Sequence, residues 1–189
     1  MINTFVMMGL PGAGKGKQTG LLSEKTGFVA FTTSAGLREV VASGSGAGKK
    51  IEEAMKSGVL VPDWLAAYFL EKNLLVLKES EGIIFDGGGR REAEAKLFAE
   101  ICKWLDRDFR VIHLNVTEDT AMERLGKRRE LESRHDDHPD IIKDRFKHFN
   151  EITIPSLNYF RSIGKVIEID GEPLPEVVFE EILSKIASL

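Results

Sequence analysis

The stretch Gly9-Leu10-Pro11-Gly12-Ala13-Gly14-Lys15 decides the fold of this chain. It follows the apolar run Thr4 to Met8, which predicts a buried strand, and it precedes a helical pattern that runs from Lys15 towards Lys25. Glycines in such a turn let backbone amides point inward, while the helix N-terminus and the lysine add positive charge. The G-x-x-x-x-G-K spacing therefore predicts a phosphate-binding loop, against the alternative of a glycine-rich turn without a ligand.

Length and composition limit the classes to which the chain can belong. Its 189 residues are 42% hydrophobic and 30% charged, which predicts a soluble globular α/β domain with a substantial core. The net charge of −4, from 26 basic and 30 acidic residues, argues against a general nucleic-acid binder. Because the sequence shows neither a charged-then-apolar leader nor an apolar run that could span a bilayer, we expect a cytoplasmic protein.

The single cysteine, Cys102, excludes an intramolecular disulfide framework and a cysteine-rich zinc site. It lies in the apolar helical stretch from Leu97 to Leu105. A small buried hydrophobic side chain is therefore the role that we expect for Cys102.

Strand patterns alternate with helical patterns along the chain, which predicts a parallel sheet with helices on both faces. Charge dominates between Arg128 and Pro139 and predicts a solvent-facing flap. We expect one domain over residues 1–189, with two mobile insertions at about 34–61 and about 128–139. Further strands are predicted at 28–31, 83–86, 111–115 and 165–169. Helices are predicted at 36–43, 47–56, about 90–105, 118–129, about 140–160 and 174–189, and a further helix follows Asp63, which would cap it.

Several stretches accompany the glycine-rich loop in a fixed order. They are Gly9 to Gln18, Ser43 to Lys50, Gly58-Val-Leu-Val-Pro-Asp63, Asp86-Gly87 and the arginine-rich segment before Asp136-Asp137. Together they resemble the adenylate kinases and related nucleoside monophosphate (NMP) kinases over nearly the whole chain. The resemblance implies a P-loop NTPase-like three-layer α/β fold, with a five-stranded parallel sheet, an NMP-binding insertion and a short lid.

The resemblance implies an ATP site at the loop, with Lys15 on the β- and γ-phosphates and Arg124 packed on the donor adenine. It also places arginines from the lid region on the phosphates. Because phosphoryl transfer gives the protein little covalent work, positioning and charge neutralisation dominate, and guanidinium groups suit that task. The implied ATP-binding residues are Gly12, Ala13, Gly14, Lys15, Gly16, Lys17 and Arg124, and the implied catalytic residues are Lys15, Arg90, Arg128, Arg134 and Arg145.

The resemblance also implies a site for the acceptor nucleotide. Thr33 would lie near the nucleoside, Arg38 on its phosphate, and Arg90 would clamp the same phosphate. Asp86 would hold Mg²⁺ through water. The implied NMP-binding residues are Thr33, Arg38, Val61, Arg90 and Glu94.

The chain departs from the family pattern at several of these positions. Lys17 replaces a threonine, Ala35 an aspartate, Gly88-Gly89 a rigid Phe-Pro turn, and Glu94 a glutamine. The first two changes make the metal pocket more positive, so that Mg²⁺ should bind less readily there. Either Lys17 supplies part of the missing charge or its side chain extends into solvent.

The residues therefore predict an NMP kinase that uses ATP and Mg²⁺, with AMP as the leading acceptor. Glu94 offers only hydrogen-bond acceptors, so a kinase of another NMP, such as GMP, UMP or CMP, is the first alternative. A catalytically weak nucleotide-binding homologue is the second, because of Lys17 and Ala35. We expect nucleotides as the partners, neither nucleic acid nor membrane, and a monomer. His135 to His138 could suggest a metal site, but the matching family segment binds no metal.

Overall fold

A parallel sheet lies at the centre of the molecule, for which a computed structural model describes residues 2–57, 61–132 and 138–189. The strands are β1 (Thr4–Gly9), β2 (Val29–Thr32), β3 (Ile83–Asp86), β4 (Phe109–Asn115) and β5 (Val166–Asp170). Their order across the sheet is β2-β3-β1-β4-β5, and all neighbours are parallel. The prediction of a five-stranded parallel sheet is confirmed.

Helices connect the strands and pack on both faces of the sheet. Among the described residues, no helix is long and apolar enough to cross a membrane. The helices are α1 (Lys15–Thr26), α2 (Thr33–Ala42), α3 (Gly46–Ser57), α4 (Asp63–Val76), α5 (Glu92–Trp104), α6 (Glu118–Glu132), α7 (Pro139–His148), a π-helical turn (Phe149–Thr153), α8 (Ile154–Ser162) and α9 (Pro175–Ala187).

Two hydrophobic cores flank the sheet, because successive side chains of a strand point to opposite faces. On β1, Val6 and Met8 belong to the core with α4, α5 and α8, whereas Phe5 and Met7 belong to the core with α1 and α9. The first core is rich in aromatic rings, and Phe98 makes edge-on contacts with Phe85, Phe109 and Phe160. Cys102 is buried in this core as predicted.

The carboxyl edge of the sheet brings together the segments that follow the strands. The register pairs Asp86 with Thr32 on one side and with Met7 on the other. As a result, α2, the turn after Asp86 and the glycine-rich loop start beside one another. Ligands of open parallel sheets bind outside this edge.

Two predicted helix boundaries differ from the structure. Asp63 is the first residue of α4, and the N-cap position before it is occupied by Pro62, with an extended ψ of 141°. The helix predicted to end at Arg129 continues to Glu132, through residues that favour helix, and so includes the first part of the predicted flap. The rest of the flap, 133–137, and residues 58–60 of the first insertion lie outside the described residues.

The predicted helix at about 140–160 is interrupted by the π-helical turn between α7 and α8. Such a turn inserts one extra residue and shifts the phase of the helix. On the two sides of the turn, Phe146 joins the core of α1 and α9, whereas Leu157 joins the core of α4 and α5. The shift therefore lets one helical rod contribute to both cores.

Candidate active site

The glycine-rich loop joins β1 to α1 and packs against α6. Gly12 has a φ of +89°, and a Cβ there would lie 2.6 Å from the Ala121 carbonyl oxygen, so only glycine fits. Gly14 caps α1 in the left-handed conformation, and the Gln18 amide donates to its carbonyl oxygen at 3.1 Å. Amides that precede Gln18 in the first turn have no carbonyl partner within the helix. With the helix dipole they form a site for an anion.

Lys15 begins α1, and its ammonium group folds back onto the loop. Its Nζ donates hydrogen bonds to the carbonyl oxygens of Gly9 and Leu10, both at 2.9 Å. Burial, reinforced by nearby positive charge, lowers the pKa of Lys15 to about 7. The lowered pKa therefore reflects first the burial of the ammonium group and then the positive charge of the arginines around it. Phosphate groups would neutralise that charge.

Arginines from different elements supply the positive charge around Lys15. Arg90 follows β3 and, after burial, contributes most to the lowered pKa of Lys15, while Arg145 on α7 and Arg128 on α6 add to it. Arg90 is held in place because its Nε donates to the Gly87 carbonyl oxygen at 2.8 Å. The structure thus brings Lys15 and these arginines within electrostatic range. The remaining predicted catalytic arginine, Arg134, lies outside the described residues.

Asp86 supplies negative charge at this centre. Its carboxylate raises the pKa of Lys15 and so acts against burial and the arginines. A Cβ on Gly16 would lie 3.6 Å from Asp86 Oδ2, so the carboxylate faces the first turn of α1. In phosphoryl-transfer sites Mg²⁺ is usually held by one or two carboxylates together with substrate phosphates. Asp86 fits that arrangement, although the described residues contain no cluster of three or more His, Cys, Asp or Glu for a metal. Lys17 is exposed in the same helical turn.

The side chain of Arg124 on α6 is fixed by the loop between β5 and α9. Its two terminal nitrogens donate to the carbonyl oxygens of Gly171 and Glu172, both at 2.9 Å. These bonds hold the guanidinium plane in one orientation, and such a plane can stack on a flat ring. The role of Arg124 at the donor adenine stays a prediction.

The predicted acceptor residues lie on elements that start at the carboxyl edge. Thr33 is the first residue of α2, whose N-cap is Thr32, and Arg38 is exposed on the same helix. Val61 is half-buried against the core. Glu94 lies in the first turn of α5, where its Oε2 accepts a hydrogen bond from the Arg90 amide at 3.2 Å. The structure therefore joins Glu94 directly to Arg90, while element position alone places Thr33, Arg38 and Val61.

The glycines between Asp86 and Arg90 form a buried turn that is packed against its neighbours, although the rigid Phe-Pro pair is absent. Gly89 has a φ of +63°, which proline cannot adopt. A Cβ on Gly88 would lie 2.7 Å from Leu70 Cδ2. The Ser156 hydroxyl of α8 donates to the Gly89 carbonyl oxygen. With Gly88-Gly89 in place of Phe-Pro, the turn has a different backbone conformation, and Leu70 and Ser156 fix it.

Sequence reasoning assigns no role to two residues that support the site. Gln18 is 3% exposed, and its Nε2 donates to the Pro175 carbonyl oxygen at 2.9 Å, which ties α1 to the start of α9. The sequence signal that could have indicated this role is a polar side chain three residues after Lys15, in the first turn of α1. Ser156, which holds the Gly89 carbonyl, has no signal of this kind in the sequence.

The sheet, its helices and the phosphate-binding loop define a P-loop NTPase-like protein. The family model for adenylate kinase matches residues 7–165. Adenylate kinase of Caulobacter sp. (strain K31) is 35% identical over 175 residues, which cover 92% of this chain and 93% of the relative. That of Azobacteroides pseudotrichonymphae is 35% identical over 190 residues, or 100% of this chain and 99% of the relative. The chain belongs to the adenylate kinase family.

Proposed function

We propose that the protein is an ATP-dependent NMP kinase that reversibly transfers the γ-phosphoryl group of ATP to AMP and yields two ADP. One observation carries this proposal. Lys15 lies at a helix N-terminus among three arginines from separate elements, with one acid opposite them. Such a centre fits a transition state with negative charge spread over a phosphoryl group between two nucleotides.

The chain's own residues would act by positioning and by charge. A phosphate oxygen of AMP forms a bond to the γ-phosphorus as the bond from that phosphorus to the β–γ bridging oxygen breaks, and the electron pair leaves with ADP. Lys15 would move from the Gly9 and Leu10 carbonyls to the donor phosphates. Arg90 would hold the acceptor phosphate, while Arg128 and Arg145 would neutralise charge on the transferred group.

Mg²⁺ would be held by the donor phosphates and, through water, by Asp86, and it would supply charge neutralisation and orientation of the phosphates. Asp86 would fix that complex against the first turn of α1, where Gly16 leaves room. Lys17, which is exposed in this turn, would add a positive charge near the donor phosphates.

A coupled assay with ATP, Mg²⁺ and AMP, GMP, CMP or UMP tests the activity. We expect AMP to be used, and Arg128→Ala to lower kcat by about a hundredfold or more. Arg129→Ala is the matched control, because Arg129 is the exposed neighbour on α6 and should leave kcat unchanged. Nucleotide binding without turnover of any acceptor would instead identify a weak nucleotide-binding homologue.

The acceptor base is a second question, for which Glu94 is the specific observation. A carboxylate can accept from the N1–H and N2–H groups of guanine, whereas it faces the N1 acceptor of adenine with repulsion. We propose weakened discrimination against GMP. Glu94→Gln should raise the ratio of kcat/KM for AMP over GMP severalfold. An unchanged ratio would mean that Glu94 serves the Arg90 amide and does not contact the base.

We also propose that the segments at about 34–61 and about 128–139 move towards bound nucleotides, because water must be kept from the transferred group. Hydrogen exchange with and without a bisubstrate dinucleoside polyphosphate should show protection in both segments. Absence of added protection in either segment would contradict this proposal.

We propose further that the protein acts as a cytoplasmic monomer whose partners are small nucleotides rather than nucleic acid or membranes. The net charge of −4 supports the exclusion of nucleic acid as a general ligand. Light scattering with and without nucleotide would test the monomer.

A further inference from the structure

A polar cluster with one buried member, His113, lies where β4 and β5 meet, on the sheet face that packs on α8. The register aligns His113 of β4 with Met8 of β1 and with Glu168 of β5. His113 is 5% exposed, and its Nδ1 lies 2.7 Å from Glu168 Oε2. Glu168 also accepts from Asn115 at 2.6 Å and from the Arg161 Nε at 2.7 Å. His113 is therefore a buried histidine with a fixed carboxylate partner.

The other contact of His113 is with the helical rod that carries Arg145. Its ring stacks on Phe149 at a centroid distance of 6.5 Å and an angle of 17°. Phe149 begins the π-helical turn, and its amide donates to the carbonyl oxygens of Arg145 and Phe146. His113 thus packs one helical turn from Arg145, at the point where α7 ends.

Burial favours a neutral ring at His113, although the adjacent carboxylate of Glu168 favours a charged one. A carboxylate cannot donate a hydrogen bond, so Nδ1 carries the proton towards Glu168. Arg161 on α8 approaches the same Nδ1 to 3.3 Å with another donor. Burial lowers the pKa of His113, Arg161 and Lys15 lower it further, and Glu168 opposes them. Phe149 and Met8, on the π-helical turn and on β1, add no charge.

We propose that His113 is a positioning residue for phosphoryl transfer, whose neutral ring anchors Phe149 and so keeps Arg145 directed at the phosphate-binding centre. Protonation of His113 weakens this anchor, because it places an imidazolium in a buried site against the Phe149 ring and beside the Arg161 guanidinium, and Glu168 offsets only part of that cost. The inference rests on the proposed role of Arg145 at the transferred group. It differs from a purely structural role because it predicts an effect on kcat that depends on Arg145.

Three variants separate the ring from the hydrogen bond. His113→Asn keeps a donor for Glu168 but removes the ring, and it should lower kcat between about tenfold and a hundredfold with KM values unchanged. His113→Phe keeps a ring against Phe149 and should retain most of kcat. His148→Asn, at an exposed histidine next to Phe149, is the control and should behave like the wild type.

A double-variant experiment tests whether the effect passes through Arg145. In an Arg145→Ala background, His113→Asn should cause no further loss of kcat. The same loss in both backgrounds, or an unchanged kcat in His113→Asn alone, would overturn the proposal.

The pH dependence of kcat tests the switch, and comparison of two enzymes removes the effect of substrate titration. The ratio of wild-type kcat to that of His113→Phe should fall at acidic pH, below the ordinary pKa of histidine, since burial lowers the pKa of His113 and only the wild type can be protonated at this position. A ratio that stays constant down to pH 5 would contradict the switch. Because both enzymes use the same nucleotides, titration of their phosphates cancels in the ratio.

Hydrogen exchange distinguishes failure of this inference from failure of the proposed function. His113→Asn should increase exchange in residues 143–153, whereas His148→Asn should not. If the wild type transfers no phosphoryl group, the proposed function fails, and with it the positioning role. In that case, increased exchange in His113→Asn would show that His113 holds residues 143–153 for a structural reason only. Unchanged exchange would show that His113 does not hold them at all.

Discussion

Two glycine-rich turns lie side by side at the carboxyl edge of the sheet, yet they use glycine for different purposes. The turn after β1 keeps its helix amides and Lys15 available for an anion, and Gly12 is needed where the loop touches α6. The turn after β3 is filled by the protein itself, with Leu70 against Gly88 and Ser156 on the Gly89 carbonyl. Glycine therefore marks an open ligand site in one turn and close internal packing in the other.

Removing the charge of the first turn should have the largest effect. Lys15→Ala should lower kcat by about a hundredfold to a thousandfold, because a cation on the transferred group is lost in the transition state. The thermal midpoint should not fall, since Lys15 in the free protein already loses its proton near pH 7. Steady-state kinetics and calorimetry check both expectations. Wild-type turnover in this variant would remove the phosphate-binding assignment.

Proton uptake sharpens the description of the first turn. Free Lys15 has a pKa of about 7, and a bound polyphosphate should raise it, so binding at pH 8 should take up close to one proton. The affinity for ATP should therefore fall as pH rises above 7, by up to about tenfold per pH unit. Titration calorimetry in buffers of different ionisation enthalpy measures the uptake. Lys15→Arg, which stays charged, should bind without this uptake.

A strained backbone in the second turn should have the smallest effect. Gly89→Ala forces a Cβ into a left-handed conformation and should lower the free energy of unfolding by about 1–2 kcal/mol. Gly164→Ala is the matched control, at a φ of +68° in a turn between α8 and β5. Urea unfolding should give similar losses for both variants, but only Gly89→Ala should also raise KM for the acceptor. Equal KM values would separate the second turn from acceptor binding.

Sequence patterns predict the sheet and the phosphate-binding loop because both depend on local signals. Apolar runs such as Ile83 to Phe85 define strands, and the G-x-x-x-x-G-K spacing defines the loop. The conformation of Gly88-Gly89 is not predictable in this way, because glycine permits many backbone conformations and only Leu70 and Ser156 select one.

The π-helical turn is hidden from the sequence for another reason. Ile142, Phe146 and Phe149 continue into Leu157 and Phe160 with spacings that an uninterrupted amphipathic helix would also show. Only the two cores, one on each face of the sheet, show that the apolar side chains before and after the π-helical turn pack on different faces. The partners of His113 are equally non-local, since Glu168 and Phe149 are distant in the chain.

The rod formed by α7, the π-helical turn and α8 has a thermodynamic consequence. Its Arg145 lies within electrostatic range of Lys15, and its Ser156 holds the turn that precedes Arg90. In the proposed function, Arg145 would act on the transferred group and Arg90 on the acceptor phosphate. A displacement of this rod by one nucleotide would then change the free energy with which the other binds. Linkage then requires reciprocity: the factor by which ATP alters the affinity for the acceptor equals the factor by which the acceptor alters the affinity for ATP.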